Sequence, residues 1–196
     1  MKFRNLLLIS FCLVLFQSCF EKTNFTTDDL EWVTPYETGD TLLFQETSSG
    51  IIDTTFVLKK IVDHGGPDIE SSTKRMEFAR ITYSNRDYFN QIPHGMKENE
   101  FQLISMFKLN NGEVAEPYIG YKGFGFSYRD YKQPEKTNLK LQITNKSLDK
   151  VLLLDGTNYN RLDPKGTDIQ YLYWELDNGI VKYVTYDGAE WERIGF

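Results

Sequence analysis

The chain has 196 residues and is acidic, with 28 aspartates and glutamates against 22 lysines and arginines and a formal net charge of −6. An acidic chain without a basic cluster is a poor candidate for binding nucleic acid or anionic headgroups, because both require concentrated positive charge. Its length is sufficient for one domain with a substantial core.

The N-terminus has the pattern of a secretory signal. Lys2 and Arg4 form a short positive region, and residues 6–16 are uncharged. A bilayer core needs about 20 apolar residues, so this run is too short to span it, but it fits the apolar region of a signal peptide, which has about 7–15. The sequence therefore predicts a signal peptide over residues 1–18, with an N-terminal signal helix, cut before Cys19.

The cleavage site reads Phe16-Gln17-Ser18-Cys19 and resembles the lipobox of bacterial lipoproteins, in the looser form found in Bacteroidota. The resemblance implies that Cys19 carries acyl chains such as palmitate, that residues 19–31 are a lipidated tether, and that the protein is anchored in the cell envelope, at the outer membrane. Several acyl chains hold a soluble domain at a membrane. Two alternatives stay open: an ordinary signal-peptidase site with Cys19 as a free thiol, and an uncleaved anchor.

The lipoprotein interpretation also limits cysteine chemistry. Cys12 leaves with the signal peptide, so Cys19 is the only cysteine of the mature chain. A disulfide, a cysteine-ligated metal and thiol catalysis are then excluded together.

The remainder of the chain is rich in alternating apolar and polar residues, which is typical of half-buried strands. These runs are separated by turn residues. They predict an all-β, mainly antiparallel domain over residues 32–196, with a minor helical turn. A single curled sheet, a half-barrel or barrel, and a sandwich all fit this pattern. The predicted strands lie within 41–47, 51–58, 77–83, 101–109, 139–144, 169–176 and 180–186.

Asp177-Asn178-Gly179 is the strongest hairpin signal, because Asn-Gly accepts positive φ in two-residue turns. The C-terminal stretch from Gly179 to Trp191 resembles the ending of small β-rich envelope lipoproteins of Bacteroidota. That resemblance implies no specific activity and no functional family.

Glycines alternate with aromatic residues over residues 118–131. One interpretation is an aromatic platform for a glycan or a lipophilic ligand. The other, which we favour, is a kinked strand whose rings fill the core and whose glycines lie at bulges. The candidate ligand-binding residues are Tyr118, Tyr121, Phe124, Phe126 and Tyr128.

No motif predicts catalysis, a metal or a cofactor. His64 and His94 lie in loop-like sequence, and no Gly-x-Ser-x-Gly motif accompanies them. Glu175 beside Trp174 could suit a glycosidase cleft, but a solvent-facing glutamate on a hairpin strand is favoured. The oxygen-rich run 155–160 lacks the glutamate that completes a calcium loop.

Asp40-Thr41-Leu42 and Asp53-Thr54-Thr55 resemble the O-glycosylation signal of exported Bacteroidota proteins. The resemblance makes Thr41 and Thr54 candidate acceptors.

Three functions follow as hypotheses. The leading one is a non-enzymatic, membrane-tethered β domain that binds a small ligand, a glycan or an envelope protein, and a cavity of several hundred Å3 would favour it. The second is a structural or assembly lipoprotein acting through a protein interface, which a flat apolar patch would favour. The third is an envelope hydrolase, which clustered buried carboxylates with shifted pKa values would favour.

Overall fold

The computed structural model describes residues 23–64, 76–86, 100–108, 110–127, 139–144, 146–156 and 165–196. The predicted signal peptide and its helix, Cys19, His94 and Tyr128 lie outside the described residues.

The described residues form one short helix and a set of strands joined mainly by tight turns. The helix, α1, is Thr27–Leu30. The strands are β1 (Thr41–Glu46), β2 (Ile52–His64), β3 (Glu77–Asn85), β4 (Phe101–Lys108), β5 (Glu116–Tyr121), β6 (Phe124–Ser127), β7 (Leu139–Ile143), β8 (Lys146–Asp155), β9 (Ile169–Glu175), β10 (Gly179–Thr185) and β11 (Glu190–Ile194).

All the strands belong to one antiparallel sheet in the order β6-β5-β4-β3-β2-β1-β11-β10-β9-β8-β7. Strands that are adjacent in sequence are paired, except β6 and β7, which lie at the two ends of this order. β1 also pairs with β11 and thereby joins the two halves of the chain. The sheet curls into a half-barrel. The all-β prediction is confirmed. Of the architectures that the sequence allows, the chain adopts the half-barrel.

Side-chain alternation explains why the sheet curls around an apolar interior. Along β2, Asp53, Thr55 and Val57 point inward and are buried, whereas Phe56 and Leu58 are exposed on the outer face. The interior holds a single large cluster in which aromatic rings fill the space between distant strands, including Phe44, Tyr83, Tyr121, Trp174 and Tyr183. A smaller cluster with Val181 lies on the opposite face of β10.

One end of the half-barrel is covered by residues 23–36, and we call it the plugged end. It comprises the start of β3, the end of β4 and the starts of β5 and β10. The Thr23 hydroxyl donates to the carbonyl of Lys108 at 3.0 Å and accepts from the Glu77 N–H at 2.9 Å. At the other side of the same end, the Tyr36 hydroxyl accepts from the Ile180 N–H at 2.8 Å.

α1 is held in this plug because Asp29, a member of its capping box, also accepts hydrogen bonds from Lys108 and Ala115. Asp29 and Thr26 form a capping box. The Asp29 carboxylate also accepts from Lys108 Nζ at 2.6 Å and from the Ala115 N–H at 2.7 Å. Residues 23–31, which the sequence assigns to a tether, therefore pack as part of the folded domain. The two buried polar residues of this segment, Thr23 and Asp29, have hydrogen-bond partners in the domain.

The hairpin at Asn178-Gly179 is present, but its turn differs from the prediction. Gly179 pairs with Glu175, so three residues form the turn instead of two. Gly179 has φ of 72°, and a Cβ there would lie 2.2 Å from the Tyr36 hydroxyl. The glycine is required by both its backbone conformation and the close approach of the plug.

Candidate functional site

A cavity of about 350 Å3 lies at the end of the half-barrel opposite the plug, which we call the cavity end. The ends of β1 and β10 and the starts of β2, β9 and β11 surround it, together with the turn between β5 and β6. Small-molecule sites usually have volumes of about 300–1,000 Å3, so this cavity is at the lower end of that range. Its apolar lining comes from Ile51, Ile52, Ile169, Ala189 and Trp191.

The polar centre of the lining is Asp53, whose side chain is 3% exposed. Oδ1 accepts from Asn85 Nδ2 at 2.8 Å. Oδ2 accepts from Lys122 Nζ at 2.8 Å and from the Tyr183 hydroxyl at 3.0 Å. A buried charge that is paired and hydrogen-bonded in this way holds its neighbours in fixed positions.

Lys122 is placed by an unusual backbone conformation. It has φ of 45° and Gly123 has φ of 81°, so both central residues of this hairpin turn are left-handed. Such turns favour Asn or Gly at the first position, and a lysine there has a conformational cost of about 1–2 kcal/mol. The ammonium offsets this cost through its ion pair with Asp53. Strain of this kind concentrates at functional sites.

Two aromatic rings form one side of the cavity. Tyr183 and Trp191 stack with centroids 5.7 Å apart and planes 10° from parallel. Lys122 Nζ lies 5.3 Å from the Tyr183 centroid and 5.6 Å from the Trp191 centroid, within cation–π range. Burial, with Tyr121 and Asp53 nearby, raises the pKa of the Tyr183 hydroxyl. Tyr183 therefore stays protonated and donates to Asp53.

Two further carboxylates line the cavity nearer to solvent. Glu46 accepts from the Ser48 hydroxyl at 3.0 Å, and Asp187 accepts from the Thr185 hydroxyl and the Ala189 N–H. Within the described part of the chain, neither carboxylate is within ion-pair distance of a lysine or arginine. Each carboxylate can therefore accept further hydrogen bonds from a ligand.

The aromatic residues predicted as ligand-binding belong mostly to the core. Tyr121, Phe124 and Phe126 are buried, and Tyr118 is half-buried. The Tyr121 hydroxyl lies 2.9 Å from Thr55 Oγ1. Their burial supports the interpretation as core residues, but the segment forms the β5–β6 hairpin instead of one kinked strand, and Gly120 pairs with Gly125 without a bulge. A Cβ at Gly120 would lie 2.7 Å from the Gln102 carbonyl oxygen. Such a close approach is the reason for a glycine in a strand.

The sequence does not predict the residues that line the cavity as ligand-binding residues, although several of them lie within predicted strands. Lys122 lies inside the glycine–aromatic segment, and its neighbour Gly123 was the available signal of a tight turn. Asp53 was considered only as part of a glycosylation motif. Nothing in the local sequence of Tyr183 or Trp191 separates them from core aromatics.

The other sequence candidates are dispersed. Glu175 is only 9% exposed and accepts from the Asn178 side chain, so the expectation that it faces solvent was wrong. His64 is the last residue of β2 instead of lying in a loop. Thr41 is exposed at the start of β1, and Thr54 is half-buried on the outer face of β2.

Two observations concern metals and membranes. Over the described ranges, no group of three or more His, Cys, Asp or Glu side chains is arranged to hold a metal ion. Asp155 ends β8, and residues 157–160 of the calcium-like run lie outside the described residues. In that same part of the chain, helices with the length and apolarity to cross a bilayer are absent.

Comparisons with known proteins find no match for this chain: no family model fits it, and no curated protein or solved structure is significantly similar to it.

Proposed function

We propose that this protein is a lipid-anchored lipoprotein of the cell envelope whose β domain binds a small ligand without chemically changing it. The observation that carries the proposal is the cavity of about 350 Å3, where a few polar groups converge among apolar side chains. Cys19 supplies the anchor, and the half-barrel supplies the binding site.

The position of the cavity supports a ligand taken from water. Cys19 precedes Thr23 by four residues, and Thr23 is bound at the plugged end. β3 runs from Glu77, beside Thr23, to Asn85, beside Asp53. Eight residue steps of about 3.3 Å separate these ends by about 26 Å. An anchor at Cys19 would hold the plugged end next to the membrane and the cavity end away from it.

The buried carboxylate at the centre of the cavity favours binding over catalysis. Both oxygens of Asp53 accept hydrogen bonds from protein donors, and Tyr183 is held in its protonated form. A general base needs a carboxylate that can reach and accept a substrate proton. Here the carboxylate is occupied by its own lysine, tyrosine and asparagine.

Native mass spectrometry of the protein purified from membranes tests the binding function. Ala189→Trp fills the cavity, and Leu58→Trp adds the same ring to the outer face of β2 as a matched control. We expect a bound small molecule in the wild type and in Leu58→Trp, and its loss in Ala189→Trp. A ligand population that is the same in all three, or absent from all three, contradicts the proposal.

The anchor is tested separately by the mass of the native N-terminal peptide and by Cys19→Ala. We expect a diacylated cysteine in the wild type and release of the variant from the membrane fraction. An unmodified thiol at Cys19 in membrane-derived protein would contradict the lipoprotein proposal and leave the cavity proposal standing.

A second candidate function, contact with an envelope protein, is favoured by apolar side chains on the outer face of β2. Phe56 and Leu58 are 46% and 42% exposed. Isolated exposed apolar residues are common, but two close together on one strand indicate a contact surface. Phe56→Ser with Leu58→Ser should abolish co-purification of a partner if this function is correct, and should leave cavity binding unchanged.

A further inference from the structure

We propose that the ligand of this cavity is an uncharged, ring-shaped polyhydroxyl compound, namely a carbohydrate of one or two sugar units. This inference rests on the proposed binding function and adds the chemical class of the ligand.

The first argument is the mixture of donors and acceptors in one small cavity. Lys122 Nζ has three N–H donors and uses two of them, on Asp53 at 2.8 Å and on the Tyr183 hydroxyl at 3.3 Å. Glu46 and Asp187 present acceptors, and Thr167 adds a hydroxyl. A sugar hydroxyl both donates and accepts, so neighbouring hydroxyls can meet both kinds of group.

The charges of the lining disfavour an anionic ligand. Among the described residues that line this cavity, Lys122 is the only cation, and Asp53 already neutralises it. Glu46 and Asp187 would lie beside a bound anion and repel it. Like charges brought together in a partly desolvated site oppose binding strongly.

An organic cation is also disfavoured, because the protein places its own ammonium at the aromatic rings. Lys122 Nζ lies within 6 Å of the centroids of both Tyr183 and Trp191, where a ligand cation would gain most. The ammonium group of a ligand would have to approach the positive charge of Lys122, which would repel it. Glu46 and Asp187 already accept hydrogen bonds from hydroxyl and N–H groups of the chain.

The apolar part of the lining suits the C–H faces of a sugar ring. Ile51 and Ile52, which are 59% and 42% exposed, are among the residues that line the cavity. Trp191, partly exposed, adds an indole to the same lining. A ring with apolar faces and polar edges would contact both kinds of surface together.

Tryptophan fluorescence of the purified wild-type protein tests the ligand class, because Trp191 lines the cavity whereas Trp32 and Trp174 are buried in the core. The probes are glucose, galactose, mannose, N-acetylglucosamine and the disaccharides maltose and lactose. Glucuronate and glucosamine serve as the anionic and cationic counterparts of the same ring. We expect saturable binding of at least one neutral sugar, and binding of its charged counterparts at least tenfold weaker.

Variants connect the signal to the cavity. Lys122→Met should weaken binding at least tenfold, and Lys150→Met, at another lysine with left-handed φ but on the surface, should not change it. Thr167→Val removes one hydroxyl from an exposed residue and should weaken binding severalfold without affecting folding. It keeps the test decisive if Lys122→Met does not fold. Trp191→Phe should remove the fluorescence change.

Two outcomes overturn the inference. One is tighter binding of glucuronate or glucosamine than of every neutral sugar. The other is a cavity-dependent ligand in native mass spectrometry that carries no hydroxyl groups. In either case the cavity still binds a ligand, but the ligand is not a neutral sugar. If neither assay detects a ligand that Ala189→Trp removes, the binding function fails as well. A cavity-dependent sugar outside the probe set supports the inference.

Discussion

The half-barrel has a lysine–aspartate pair at each end, and the two pairs differ in what surrounds them. At the plugged end, Lys108 and Asp29 are 2.6 Å apart and only 2% and 1% exposed. At the cavity end, Lys122 and Asp53 are 2.8 Å apart, and the lysine is 14% exposed. The first pair is enclosed by the chain, whereas the second lines a cavity that a ligand can enter.

The difference shows how the same two residue types serve stability at one end and recognition at the other. Asp29 receives hydrogen bonds from Lys108, from Ala115 and from both the N–H and the hydroxyl of Thr26. Burial alone would raise the pKa of Asp29, but these donors outweigh burial and lower it. At the cavity end, Lys122 keeps one N–H beyond its bonds to Asp53 and Tyr183.

The largest effect is expected from breaking the enclosed pair. Asp29→Ala leaves the Lys108 ammonium buried without its partner, and losing one member of a buried pair costs about 3–5 kcal/mol. Urea denaturation should show this loss in the free energy of unfolding. Asp28→Ala, one residue earlier and exposed, should change it by less than about 0.5 kcal/mol. Equal effects of the two substitutions would show that the plug does not depend on this pair.

A somewhat smaller effect is expected where the plug meets β10. Gly179→Ala places a Cβ 2.2 Å from the Tyr36 hydroxyl at a residue with φ of 72°. Backbone strain and overpacking together should cost about 2–4 kcal/mol. Gly188→Ala is the matched control, because its φ is 86° but no atom lies within 4 Å of the new Cβ. It should cost about 1–2 kcal/mol, and the difference in melting temperature isolates the contact with Tyr36.

A third comparison tests the strain at Lys122. Lys122 and Lys150 both have left-handed φ, and asparagine tolerates that conformation better than lysine. Lys150→Asn, on the surface, should stabilise the protein by a few tenths of a kcal/mol. Lys122→Asn gains the same backbone relief but removes a partner of Asp53, so it should cost about 1–3 kcal/mol. A stabilising Lys122→Asn would mean that the ion pair does not hold this turn.

The smallest effect is expected from titrating Asp29. Because its folded pKa lies below the ordinary value of 3.8, its ionised form stabilises the fold above that pH. This contribution is lost as the pH falls below 3.8 through the lowered folded pKa. The difference in unfolding free energy between wild type and Asp29→Asn should therefore shrink in acid. A difference that stays constant from pH 6 to pH 2 would contradict the lowered pKa.

Patterns of short range were predictable from the sequence. Strict alternation over 139–143 and the Asn178-Gly179 signal correspond to β7 and to the β9–β10 hairpin. The burial of Tyr121 and Phe126 follows from the alternation of glycines and aromatic residues in β5 and β6. These features depend on neighbours within a few residues, which the sequence displays directly.

The cavity was not predictable, because its residues come from segments far apart in sequence. Asp53 and Tyr183 are 130 residues apart, and Lys122 lies between them. They meet only because β1 pairs with β11 and the sheet curls, so that the β5–β6 turn approaches the end of β10. The plug is similar, since Asp29 finds Lys108 at a separation of 79 residues.

By itself, the sequence determined the antiparallel all-β class and the positions of most strands, because a period of two and turn residues are local properties. It also raised the prediction of an anchor at Cys19. The tertiary structure alone decided which aspartate would be enclosed and which would line a cavity. Both are aspartates in local sequence that mixes polar and apolar residues. Only the curl of the sheet and the path of residues 23–36 determine the access of water and ligand to each.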